Sequence, residues 1–296
     1  MAIGVLGILV PVLVCVLLCV LVARAVSRVG APLRLGPRRR FLLGALVAGL
    51  VVGIVLFVLG GTVFLSTLGL VQMLAPGVGA LVVLVAVIAS PGSGGAGSPR
   101  GQAELSRRGW ASLGPAWLYA APAAAAALMI SAIVFFGASS SADEQGRQRT
   151  ITVDAGIVGA SSSPYPGWYY GLPALVLALV LLAATVLALA RVAHHPLRGT
   201  ADEREAARGW RAGLARVVMA VGTGSFLLYS GGMTLMAGIT TSSVTGGEVL
   251  IEDGQPYGWD VPALDALGAM EVAVGLCAIV VGLFLCATAL VTAARR

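Results

Sequence analysis

One acid in this chain sits where acids are costly. Glu271 lies in the apolar run Ala266–Leu290, flanked by Met270 and Val272. A carboxylate in such a run must be protonated, partnered or wetted. The donors nearest to it in the neighbouring apolar run are Tyr229, Ser230 and Thr234, and a third run adds Gln72. These five residues form a candidate buried polar site, and the chemistry they suit is the binding of a proton or a cation. The competing expectation is a helix that starts late and leaves Glu271 in water beside Asp265.

Other chemistry-bearing residues lead nowhere comparable. The chain has no Lys, which excludes a retinal Schiff base and a nucleotide-binding glycine loop with its Lys. His194 and His195 adjoin each other in a loop with no Cys nearby, and no apolar run holds a His to serve as a haem ligand or as a base for Ser225. Gly222-Thr223-Gly224-Ser225 therefore reads as helix-packing surface. Cys15, Cys19, Cys277 and Cys286 all lie in apolar runs, where Cys behaves as a small hydrophobe. The expectation is a protein without catalytic residues, without a cofactor and without a metal.

The elements that must position Glu271 are membrane helices. About 20 apolar residues cross a bilayer, and seven runs qualify: Ile3–Leu21, Phe41–Leu59, Leu68–Ile88, Leu118–Phe136, Leu172–Ala190, Val217–Met236 and Ala266–Leu290. With 58% apolar residues, 11% charged residues and a mean hydropathy of +0.95, the composition is far from that of soluble domains. All 19 basic residues are Arg, and 17 of them fall on one side of the seven runs. Four acids share that side, for a net +13; the other side has Arg147, Arg149 and eight acids, for a net −6. Arg-rich short loops stay cytoplasmic, so the N-terminus is expected outside and the C-terminus inside. With Glu271 inside its apolar run, this partition sums to the formal charge of +6 and needs no nucleic acid to explain it.

The expected fold is an all-α membrane protein, an anchor helix followed by three hairpins. The anchor is residues 1–23 and an Arg-rich cytoplasmic loop is 24–40. The first hairpin is 41–90, and a Gly/Ser-rich linker is 91–107. The second hairpin is 108–193, a cytoplasmic loop with an elbow helix is 194–207, and the third hairpin is 208–296. The elbow helix is read from Thr200-Ala201-Asp202-Glu203, a capping box, and is expected to lie at the interface before turning into the sixth run.

The second and third hairpins look like parallel copies. Arg108-Gly109-Trp110 recurs as Arg208-Gly209-Trp210, Pro164-Tyr165-Pro166-Gly167-Trp168 as Pro256-Tyr257-Gly258-Trp259, and Pro173-Ala174-Leu175 as Pro262-Ala263-Leu264. Each outer loop holds a β-like segment, Thr150–Val153 and Val249–Ile251. Two such strands related by a two-fold axis would pair antiparallel as a small extracytoplasmic cap. The outer aromatics Tyr165, Trp168, Tyr169, Tyr170, Tyr257 and Trp259 are expected to form a belt at headgroup depth.

The run Pro166-Gly-Trp-Tyr-Tyr-Gly-Leu-Pro173 and the Arg-only loops resemble multi-pass integral membrane proteins of actinobacterial type. That resemblance implies an inner-membrane protein and brings no chemistry with it. The function expected is a non-catalytic membrane subunit, permease-like or an assembly partner, in contact with lipids and with a cytoplasmic ATPase or another membrane subunit. One alternative is a self-contained carrier or channel using Glu271. Another is an envelope sensor or scaffold whose outer cap binds a ligand.

Overall fold

The computed structural model describes residues 39–90, 116–154, 159–194, 200–250 and 256–294. The first expected span, most of the Arg-rich loop, the Gly/Ser linker and the first Arg-Gly-Trp lie outside the described residues. Among the described residues six helices are long and apolar enough to cross a membrane, and they fit a multi-pass membrane protein. They are α1 (Arg39–Thr62), α2 (Leu70–Ala89), α3 (Ala116–Ala138), α4 (Trp168–Ala193), α5 (Ala201–Ser242) and α6 (Pro262–Ala294). Leu50, Ile54 and Phe57 of α1 and Leu276, Val280 and Leu283 of α6 are all exposed. Apolar surface on that scale belongs in lipid.

Two compact units are distinguishable. The strand-bearing unit has its described residues within Ala127–Val176 and Leu227–Val281; the helical unit has its own within Val22–Ala126, Leu177–Phe226 and Gly282–Arg296.

In the helical unit, α1 and α2 form an antiparallel pair built on small residues. A Cβ added to Gly49 would lie 2.5 Å from the Gly79 carbonyl oxygen, and Ala75 faces Gly53. Small residues let backbones approach where lipid gives no hydrophobic drive to associate. Leu68 and Gly69 both take positive φ in the link between α1 and α2, and Gly69 accepts its φ of +88 without a Cβ penalty. In the same unit Arg211 of α5 is buried at 5% exposure. Its Nε donates to the Val192 carbonyl at 3.2 Å and an Nη to the Ala193 carbonyl, at the C-terminal end of α4. A cation there satisfies carbonyls that the helix leaves open and meets the negative end of its dipole.

The elbow helix does not exist as a separate element. Residues 202–211 continue without a break into the apolar run, giving one α-helix of 42 residues. No Pro or paired glycine interrupts Asp202–Arg216, so nothing forces a turn there.

The strand-bearing unit contains two small sheets. β1 (Ser141–Ala142), β2 (Gln148–Asp154) and β3 (Gly159–Ser162) form an antiparallel sheet in the order β1-β2-β3. β4 (Gly246–Leu250) and β5 (Pro256–Asp260) form a hairpin with Gly247 opposite Trp259. The shared cap therefore needs correction. β2 pairs with β1 and β3 of its own loop, and β4 pairs with β5, so the two β-like segments do not pair with each other.

Candidate functional site

The helix α6 starts at Pro262, a position whose missing N–H costs nothing in a first turn. Asp265 in that turn is exposed, while Glu271, about 9 Å further along the axis, is only 7% exposed. The expectation of a late helix start is thus overturned. The neighbour of Glu271 is α5, held against α6 by glycines at seven-residue spacing. In the strand-bearing unit a Cβ on Gly231 would lie 2.8 Å from the Gly275 carbonyl oxygen, and one on Gly238 would lie 2.6 Å from that of Gly268. In the helical unit one on Gly224 would lie 2.9 Å from that of Gly282. Glycines seven apart on each of two antiparallel helices keep one seam in contact.

That seam decides which donor meets the carboxylate. Thr241 Oγ1 donates to Glu271 Oε2 at 3.3 Å. Tyr229, Ser230 and Thr234 lie elsewhere on α5 or bond within it. Tyr229 is 12 residues before Thr241, about 18 Å down the helix, and its buried hydroxyl has no partner. Ser230 donates to the Leu227 carbonyl and Thr234 to the Ser230 carbonyl, both within α5. Gln72 belongs to the helical unit, where its side chain packs on Gly60 and Gly61. Thr241 was missed because the sixth run was ended at Met236, five residues short. Gly224, Gly231 and Gly238 matched against Gly268, Gly275 and Gly282 would have set the register and pointed to it.

Hydroxyls beside Thr241 tie down the loop before α4. Thr240 Oγ1 donates to the Pro164 carbonyl, and Ser243 Oγ donates to Ser162 Oγ at 2.7 Å. Tyr165, next to Pro164, is 2% exposed; its hydroxyl shares a hydrogen bond of 2.7 Å with Ser139 Oγ and its ring meets Phe136 edge-on at 5.9 Å. Burial pushes the Tyr165 hydroxyl above its ordinary pKa, opposed by the Ser139 hydrogen bond; an ionised Glu271 would add to the rise. Tyr165 and Tyr170, at 2% and 1% exposure, are core residues and not members of an interfacial belt.

No protein-family model, curated protein or solved structure matches the chain. Its function must be argued from its own geometry.

A second carboxylate, Asp143, closes the β1–β2 turn. Its Oδ1 accepts the Gln145 and Arg147 amides at 3.0 and 2.8 Å, and its Oδ2 accepts Arg147 Nε at 2.9 Å and Arg149 Nε at 2.6 Å. Burial alone would raise this carboxyl, but the Arg149, Arg147 and Gln145 hydrogen bonds outweigh it and hold the group well below the usual carboxylate range. Asp143 in turn raises the Arg149 guanidinium. Gly146, at φ +77, supplies the left-handed residue that the turn requires.

Elsewhere the geometry is that of packing. Ser225 Oγ donates to the Gly222 carbonyl, and Gly224 faces Cys286. His194 Nδ1 lies 2.7 Å from the Ala190 carbonyl, and His195 lies outside the described residues. Among the described residues no three His, Cys, Asp or Glu side chains gather as a metal site. The echoed aromatic motifs also differ in setting: Trp168 opens α4 and packs on Gly137, whereas Trp259 lies in β5 and donates to the Val244 carbonyl at 3.3 Å.

Proposed function

We propose that this protein is a seven-span subunit of a bacterial inner membrane, N-terminus outside and C-terminus inside, that has no catalytic activity of its own and docks a cytoplasmic partner, an ATPase or a soluble face of another membrane subunit. The observation that carries this reading is α5. Its 42 residues extend about 63 Å at 1.5 Å per residue, twice a hydrocarbon core of about 30 Å. The excess is the polar start, where Asp202, Glu205 and Arg208 are exposed, and Arg211 fastens the helix to the end of α4. A rigid post of mixed charge suits a protein partner better than lipid alone. The parallel descent of the hairpins α3–α4 and α5–α6 belongs to the same proposal, supported by the helix, outer strands and helix that each contains.

Two measurements test it. In a background without native cysteines, Gln145→Cys and Leu250→Cys are expected to react with an impermeant thiol reagent in intact cells, and Leu35→Cys, Arg100→Cys and Glu205→Cys to be protected. A photo-crosslinker at position 205 is then expected to give one discrete protein adduct. Labelling at 100 or 205, or crosslinks to lipid alone, would contradict the reading.

The folded outer loops favour a second reading, a sensor or scaffold that presents a surface outside. A ligand or protein held by the β1–β3 sheet, with no adduct at position 205, would select it.

A further inference from the structure

Glu271 is the buried acid among the described residues. It is 7% exposed, and its partner is a neutral hydroxyl at 3.3 Å. Among the described residues the ion pairs are both made by Asp143, so no arginine reaches Glu271. A carboxylate removed from water without a positive partner is strongly disfavoured as a bare anion. None of the described residues supplies that positive charge.

We propose that Glu271 and Thr241 form the core of a binding site for one small, hard cation, either a proton or an alkali-metal ion. The hydrogen-bond partner of the carboxylate is an oxygen, the Thr241 hydroxyl of α5, and Tyr165, in the segment before α4, is a titratable group near enough to feel its charge. Oxygen donors select hard cations over soft transition metals. The backbones of α5 and α6 approach closely beside Glu271, where a Cβ on Gly238 would lie 2.9 Å from the Glu271 Cβ.

The site is coupled to the loops. Thr240 and Ser243, which flank Thr241, hold Pro164 and Ser162. Occupancy at Glu271 therefore sets the order of residues 162–165 and of the end of α5. This property is independent of the docking proposal; it depends only on the outer end of the α5–α6 pair.

The test uses the full chain in nanodiscs. Tm and amide hydrogen exchange at 159–165 and 239–245 are measured in sodium chloride against choline chloride at equal ionic strength, from pH 5 to 9. An alkali-ion site predicts a Tm rise of about 3 °C or more at saturating sodium and slower exchange in both segments. A proton site predicts the same gain on lowering pH in choline, with no sodium effect. Glu271→Gln is expected to abolish either response, Thr241→Val to weaken it several-fold, and Asp265→Asn, on the same helix but exposed, to leave it intact. Should Glu271→Gln fail to fold, the wild-type exchange and Thr241→Val carry the test. A response identical in wild type and Glu271→Gln, or a wild type indifferent to both cations, would overturn the proposal.

Discussion

Asp143 and Glu271 are two carboxylates of one compact unit, provided for in opposite ways. Asp143 receives two guanidinium groups and two backbone amides and sits in a five-residue turn. Glu271 receives one threonine hydroxyl and sits in a glycine-lined seam between two long helices. The first arrangement saturates the acid, which leaves it to hold a loop in shape. The second leaves the charge unanswered, in a setting where several kcal/mol of desolvation is not tolerated without return. An acid fully paired by its own chain is a structural part; an acid left unpaired is the place to seek a ligand.

The most severe way to break the comparison is to spoil the seam. In Gly238→Val the new Cβ meets the Gly268 carbonyl at 2.6 Å, which is backbone and cannot swing aside. Overpacking of this kind costs about 1–3 kcal/mol, and more where backbones must part. We expect loss of monodisperse protein, or a Tm lowered by at least about 5 °C in a fluorescence-detected melt. A melt unchanged from wild type would mean that α5 and α6 are not in contact there.

Arg211 sharpens the comparison from the basic side. It is a buried cation answered by carbonyls of its own chain, so Arg211→Met is expected to destabilise by about 1.5–3 kcal/mol, the usual range for hydrogen bonds to a charged group. Thermal unfolding checks this, and insensitivity to the substitution would show that the end of α4 is capped by something else.

Asp143 gives the smallest effect and the clearest pH signature. Its folded pKa is depressed, so its contribution is fully present above the unfolded carboxylate value of about 3.9 and is lost as pH falls through the folded value. Hydrogen exchange at 143–154 is expected to quicken below about pH 4 in wild type. Asp143→Asn should exchange fast at every pH, with α5 and α6 unaffected. A wild-type loop that stays protected through the acid range would contradict the pairing.

Much of the scaffold could be read from composition. Six of the seven apolar runs correspond to described helices, because hydropathy and length together dictate a bilayer span. The turn of β-branched residues at 150–153 was also legible as strand. What escaped was pairing. β2 has its partners within its own loop because Asp143 and Gly146 close a tight turn, a local signal that the echo with the other loop obscured. The elbow at 202–211 was inferred from a change of polarity, but α-helical hydrogen bonding does not stop where side chains turn apolar. For the candidate site the carboxylate was identifiable from its burial-prone context, and its donor was not. Type and proximity in sequence point to Tyr229, Ser230, Thr234 and Gln72, whereas the glycine seam fixes Thr241.

The most direct test of the account is the infrared signature of Glu271 itself. In full-length protein with isotope-labelled Glu, the band that disappears in Glu271→Gln is followed through sodium and pH titrations in a membrane. The account predicts that this carboxyl is never a bare anion. It absorbs either as a protonated C=O, converting to a carboxylate only when an alkali ion is supplied, or as a cation-bound carboxylate whose frequency moves when sodium gives way to choline. A carboxylate band present in choline throughout pH 5–9, and unmoved by sodium, would contradict it.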